Sequence, residues 1–218
     1  MRYEPEQYWA DRFRRYGMSM KSCACFGYPD ELNHATYVKA GATVLQALTD
    51  TGASLDHVLE VGVGNGWWTR WLRTAGAKHL VGMDITDVLF EHHRAAFPKW
   101  DFIKADITQT GPPGRGYTLA MMLDVGQHIV DDADLGRALG HVRDAVRPGG
   151  VVLVTAWGHT RRYRSYEQAH TYEAYTSRFP GWAQWEPKPY RDKHLLGFVN
   201  DDRGSDAHDA GPSVRAVG

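Results

Sequence analysis

Two rhythms of apolar and polar positions succeed one another along the middle of the chain. Short, nearly continuous apolar runs read as strands: HVLEVGV (57–63), HLVGMDI (79–85), a short piece of WDFIKADI (100–107), YTLAMMLDV (117–125) and GVVLVTAW (150–157). Between them lie helical segments: one from about Gly66 to Thr74, DVLFEHHRAAF stopped by Pro98, and Asp132 to Val146 closed by RPGG. Such alternation is the pattern of a parallel sheet with helices on both faces. The fourth run is almost wholly apolar, as a strand covered on both sides must be. WAQWEPK and KHLLGFV are then expected to pair as an antiparallel edge.

The ends differ from the middle. Residues 1–50 are expected to form an N-terminal helical cap, since TYVKAGATVLQALTD spaces its apolar residues by three and four. Residues 51–200 form the central domain. Residues 201–218, DDRGSDAHDAGPSVRAVG, hold few large apolar side chains and read as a disordered tail.

Composition narrows the function classes. The 218 residues carry 25 Lys+Arg against 26 Asp+Glu, a net charge of −1, so there is no general pull toward nucleic acid or an anionic membrane. The opening MRYEPEQYWADRF is charged and aromatic, unlike a signal peptide, and no apolar stretch approaches a bilayer span. A soluble, cytoplasmic protein is expected, with a homodimer left open. Cys23 and Cys25 are too close for a structural disulfide and lack Cys partners for zinc, so both are expected as reduced, half-buried thiols.

The chemistry concentrates at VLEVGVGNG (58–66). A glycine turn between strand and helix lets a ligand approach backbone N–H groups at the helix start. The dinucleotide spacing G-x-G-x-x-G fails here, because counting from Gly62 puts Trp67 at its third glycine. The spacing is G-x-G-x-G, and Glu60 precedes it by two residues. A carboxylate there repels a pyrophosphate but pairs with a cation. The expected ligand therefore carries positive charge beside its anionic group.

An amino acid joined to a sulfonium and a nucleoside fits that description, and the chain resembles the class I S-adenosylmethionine-dependent methyltransferases of small-molecule type over about residues 30–199. The resemblance rests on LEVGVGNG, Asp84 ending HLVGMD, Asp106 in FIKADI, LAMMLDVGQHI and VRPGGVVLVTAW, in that order. It implies an α/β fold, Rossmann-like and doubly wound, with a mostly parallel seven-stranded sheet, an antiparallel C-terminal edge and an N-terminal helical cap. It implies S-adenosylmethionine as cofactor, bound by Glu60, Gly62, Gly64, Asn65, Gly66, Asp84, Ile85, Asp106, Ile107, Leu123 and Trp9. Within that set Asp84 accepts the ribose hydroxyls and Asp106 lies near the adenine amino group. Taken singly, Asp84 reads equally as a helix cap, and Asp106 as a cap or turn residue.

Methyltransferases acting on nucleobase amino groups usually carry Asn or Asp, two prolines and an aromatic after the fourth strand. This chain has Asp124-Val125-Gly126-Gln127-His128, so the expected partner is a small molecule, with no nucleic acid and no membrane. Aromatic residues flank the core on both sides, as an acceptor pocket or as the apolar face of lid helices. A hydroxyl of a sugar or natural product is the expected acceptor; a small amine and a non-catalytic cofactor-binding subunit are the alternatives. His128 is the first candidate base, with Asp124 beside it and His159 second. His128 reads alternatively as a residue that only orders its loop. Asp124, Gln127 and His128 form a weaker candidate set for a divalent ion, so no metal ligand is assigned. Arg161, Arg162 and Arg164 read as an acceptor grip or a solvated basic loop.

Overall fold

A computed structural model describes residues 3–201; the tail expected at 201–218 lies, except for Asp201, outside the described residues. Helix α1 (Pro5–Tyr16) and a 3-10 turn (Met20–Ser22) precede the long α2 (Asp30–Thr51). Then β1 (His57–Val61), α3 (Trp67–Thr74), β2 (His79–Asp84), α4 (Phe90–Ala96), β3 (Asp101–Lys104) and β4 (Tyr117–Met122) alternate. Helix α5 (Asp132–Ala145) leads into β5 (Val146–Ala156). A two-stranded ribbon, β6 (Arg161–Arg164) with β7 (Glu167–Ala169), is followed by α6 (Tyr172–Thr176), β8 (Ala183–Tyr190) and β9 (Lys193–Val199).

The main sheet has seven strands in the order β3-β2-β1-β4-β5-β9-β8. The first five are parallel, and β9 and β8 add antiparallel to that edge. Strand order reverses between β1 and β4, which opens a crevice at their carboxyl ends. One face packs against α2 and α3 through Tyr37, Val44, Trp68 and Leu72; the other packs against α5 and α6 through Leu135, Leu139, Val142 and Tyr175. Every residue of β4 is buried, as its apolar run requires. Truncating Leu119 there to Ala costs roughly 2–5 kcal/mol. Although grouped with the cap by its sequence position, α2 packs on the sheet itself and reaches the crevice through Tyr37; α1 lines it with Pro5, Trp9 and Phe13.

Element ends follow local chemistry. The Asp131 side chain accepts the Ala133 and Asp134 N–H groups at the start of α5, and Gly52 (φ 66°) closes α2. Two expectations are corrected. RPGG (147–150), expected to close the helix, lies within β5, and α5 already ends at Ala145. Asn200 holds it there, its carbonyl accepting the Gly149 N–H and its N–H donating to the Gly150 carbonyl. The expected helix from 87 starts only at Phe90, after a turn in which Phe90 N–H donates to the Asp87 carbonyl. The ribbon β6–β7 had no counterpart in the expectation, because the RRYR of β6 is exposed throughout and shows no apolar alternation. None of the described helices is long and apolar enough to cross a membrane.

Candidate functional site

The crevice is a cavity of about 670 Å³. That falls within the range of about 300–1,000 Å³ typical of small-molecule sites. Gly62, Gly64, Asn65, Asp84, Ile85, Asp106, Ile107, Leu123, Asp124, His128 and Trp9 all line it. Glu60, Gly66 and His159 do not.

The glycines take the left-handed backbone, φ 80° at Gly62, 52° at Gly64 and 71° at Gly66. What passes close to them is the protein itself. A Cβ on Gly64 would fall 2.5 Å from Cys23 Sγ, one on Gly66 would fall 2.7 Å from the His93 ring, and one on Gly62 would strike Val125. Gly66 therefore serves packing rather than the cavity. The expectation of free N–H groups is also corrected: Gly64 N–H donates to Asp84 Oδ2 (2.9 Å), Asn65 N–H to Cys23 Sγ (3.2 Å) and Trp67 N–H to Asn65 Oδ1 (3.2 Å). Sulfur is a weak acceptor, so the Asn65 donor is the one most readily surrendered to a ligand carboxylate. Cys23 is half-buried as expected, whereas Cys25 is exposed.

Carboxylates surround the loop. Asp84 accepts from Gly64 and from Thr86 N–H (3.2 Å), and burial lifts its pKa to about 6. Asp106 Oδ1 accepts both the N–H and the hydroxyl of Thr108 at 2.8 Å, a turn that leaves the carboxyl on the cavity wall. Glu60 is 2% exposed and sits beneath the loop. Its Oε2 accepts from Thr69 Oγ1 at 2.8 Å, its Oε1 has no hydrogen-bond partner among the described residues, and burial pushes its pKa up to about 8. Glu60 lies outside the cavity lining, whereas Asp84 and Asp106 are acceptors on its wall and suit a cofactor that carries hydroxyl and amino donors. The residues fit S-adenosylmethionine on that test.

At the end of β4, Asp124 adopts φ 57°, and its N–H donates to Thr155 Oγ1. Its Oδ2 accepts from Tyr190 (3.0 Å) and Arg191 (2.7 Å), while Lys193 Nζ lies 3.0 Å from Oδ1 as an ion-pair neighbour outside hydrogen-bond alignment. Burial alone would raise its pKa, but Lys193 and Arg191 outweigh that and hold the carboxyl well below its usual range. Asp124 thus faces two cations, which leaves it poorly placed as a base or as a ligand for a divalent ion. Gln127 is buried outside the cavity lining, and the described residues hold no group of three His, Cys, Asp or Glu able to bind a metal. Tyr190 counted in the sequence only as one of the flanking aromatics, and Arg191 and Lys193 were missed, because the β8–β9 turn lies more than sixty residues away and carries no local motif.

His128 lies on the cavity wall. Its Nδ1 meets the Tyr166 carbonyl at 2.8 Å, and Trp9 of α1 stands edge-on to its ring at 4.8 Å. Because a carbonyl only accepts, Nδ1 carries the proton of the neutral ring and Nε2 keeps a lone pair. Burial lowers the pKa of His128 to about 4. His159 is exposed, pairs with the Tyr163 hydroxyl (2.8 Å) and stands apart from the cavity. Of the three arginines, Arg162 reaches the cavity and donates to the Val130 carbonyl.

A doubly wound sheet with its crevice at a β1/β4 switch point, a glycine loop, acids ending β2 and following β3, and a helix beside the crevice make up an α/β domain with a small-molecule cavity at its switch point. Residues 58–150 match the family described as methyltransferase domain. A probable S-adenosylmethionine-dependent methyltransferase of Mycolicibacterium smegmatis is 29% identical over 112 residues, 51% of this chain and 42% of that protein, so the chain spans less than half of that relative's length. In solved structures, the fold is similar to magnesium protoporphyrin IX methyltransferase of Synechocystis PCC 6803 with bound S-adenosylmethionine (TM-score 0.66, 16% identity, 90% of this chain and 97% of the other). It is likewise similar to the N-methyltransferase NodS of Bradyrhizobium japonicum WM9 in complex with S-adenosylhomocysteine (TM-score 0.61, 17% identity, 76% and 87%). At these identities the structural likeness is one of fold. Residues 58–150 thus match a methyltransferase domain, and the fold around them is the one that the solved methyltransferases share.

Proposed function

We propose that the protein methylates a hydroxyl of a small-molecule acceptor, such as a sugar or natural product, with His128 receiving the acceptor's proton. The observation that carries this reading is His128 itself: a neutral ring whose Nε2 lone pair is available on the wall of the cavity that Asp84 and Asp106 also line. When bound, S-adenosylmethionine supplies a methyl group on a sulfonium, already activated toward attack by a lone pair. Asp84 and Asp106 hold and orient the cofactor, with Gly62, Gly64, Asn65, Ile85, Ile107 and Leu123 shaping its bed and Glu60 supporting the loop from beneath. Asp124 anchors the β4 end by its cations and keeps that wall rigid. Helix α1, through Trp9 and Phe13, excludes water. A base of low pKa is a poor match for a free alcohol, but the acceptor hydroxyl becomes strongly acidic as its bond to carbon forms. Proton transfer to Nε2 late in the step therefore suits this imidazole.

Turnover of labelled S-adenosylmethionine against a panel of hydroxylated acceptors tests the reading. His128→Ala is expected to lower kcat at least tenfold, within the usual general-base range of about 10²–10⁴. Affinity for S-adenosylhomocysteine stays nearly unchanged, and the fall in rate below about pH 4 to 5 flattens. Lower thermal stability with kcat preserved in the folded fraction assigns His128 to loop shaping instead. A small amine acceptor is the second reading, favoured by the fold likeness to an N-methyltransferase, and methylation of amines alone in the same panel would install it.

A further inference from the structure

We propose that Tyr8 and Tyr166 are positioning residues that couple the docking of α1 to the tautomer of His128. The catalytic meaning of this coupling rests on the reading of His128 as base; the coupling itself does not.

Ribbon β6–β7 stands outside the main sheet, and β6 is exposed along its length. A two-stranded ribbon by itself is marginal in water, so its position depends on what docks its two ends. Its base is pinned by buried Ala169 and by His170, whose ring nitrogens meet Asp132 Oδ1 (2.8 Å) and the Ile129 carbonyl (2.9 Å). Its tip is held through Tyr166. The Tyr166 ring stacks on Tyr8 of α1 at 4.5 Å and 25°, and its hydroxyl accepts from Arg164. The carbonyl of the same residue accepts the hydrogen bond from His128 Nδ1–H. Tyr166 therefore touches the lid with its ring and the candidate base with its backbone.

Helix α1 has its own latch. Arg12 donates to the Lys21 and Ala24 carbonyls (3.0 and 2.7 Å), and Glu6 pairs with Lys104 of β3 (2.6 Å). When α1 is docked, Tyr8 fixes the ribbon tip, the Tyr166 carbonyl stays in line with Nδ1, and Nε2 is left unprotonated. When α1 is undocked, water competes for Nδ1 and the ring loses its single tautomer. Lid closure and readiness of the base thus become one event, which keeps the proton acceptor unset while the cavity is open.

Nitrogen-15 imidazole spectra of the full chain near pH 7, without and with S-adenosylhomocysteine, read the tautomer directly. The His128 signals are assigned by their absence in His128→Gln. The expected result is an Nδ1-protonated pattern in the native chain and in Tyr8→Phe, which keeps the stacked ring. In Tyr8→Ala and in Tyr166→Leu, which keeps the backbone carbonyl, that pattern is lost to an average of both tautomers. Folded Tyr8→Ala and Tyr166→Leu proteins with the native His128 pattern overturn the proposal, even with lowered melting temperatures. If Tyr8→Ala does not fold, Tyr166→Leu decides, and failure of both to fold overturns the proposal in favour of a purely structural role. Full turnover in His128→Ala beside a shifted tautomer in these variants retires the base reading and leaves the coupling standing.

Discussion

Replacing Asp124 by Asn removes the negative charge between Arg191 and Lys193 without disturbing the backbone, since Asn tolerates the left-handed conformation (φ 57°) as well as Asp does. The two cations stand 2.7 and 3.0 Å away, and the side chains are only 12%, 12% and 5% exposed for Asp124, Arg191 and Lys193. At an effective dielectric of about 20, a pair near 3 Å is worth on the order of 5 kcal/mol of raw attraction. Breaking a buried pair by removing one partner costs about 3–5 kcal/mol, because the remaining charge stays buried and uncompensated. Lys193 keeps a second partner in Asp192 (3.0 Å), so the lower end, about 3 kcal/mol, is expected. That is a large share of the roughly 5–15 kcal/mol by which domains are stable. The sign with pH follows from the depressed pKa. Asp124 contributes stability present above its ordinary value of 3.8 and lost as pH falls below it, so variant and native chains converge in acid. Urea unfolding followed by tryptophan fluorescence at neutral and acidic pH measures both effects. A loss under about 1 kcal/mol at pH 7, or an acid dependence unchanged by the substitution, would refute the assignment of Asp124 as a buried anchor.

Asp84→Ala is expected to weaken S-adenosylhomocysteine binding by roughly 1–3 kcal/mol through lost hydrogen bonds, and unchanged affinity by calorimetry removes Asp84 from the ribose role. Glu60, raised by burial to about 8, contributes stability fully present below its ordinary 4.5 and lost as pH rises through about 8. Glu60→Gln is thus expected to flatten the fall in melting temperature toward alkaline pH, and thermal scans with the native slope would contradict this. Deleting residues 1–17 removes α1 but none of the sheet, so a folded core without turnover is expected; full activity in the truncated chain ends the lid assignment.

The sequence by itself carried the strand and helix alternation, the parallel order and the antiparallel edge, because burial on both faces leaves long apolar runs and solvent-facing helices leave period-3.6 stripes. It also carried the glycine loop and the acids Asp84 and Asp106, since these lie at or just past strand ends and the strand pattern alone brings them together. What each loop residue does was decided by distant neighbours. Gly66 is small because His93 lies over it, and Cys23 takes an N–H that the local pattern left free. Asp124 looked like a base or metal ligand until the β8–β9 turn brought Arg191 and Lys193 onto it. His128 and His159 were the first and second candidate bases in sequence, and it is the tertiary packing that left His159 exposed and gave His128 a carbonyl that sets its tautomer. Burial and charge set these roles. Both are properties of how segments far apart in the chain meet, which no periodicity along it encodes.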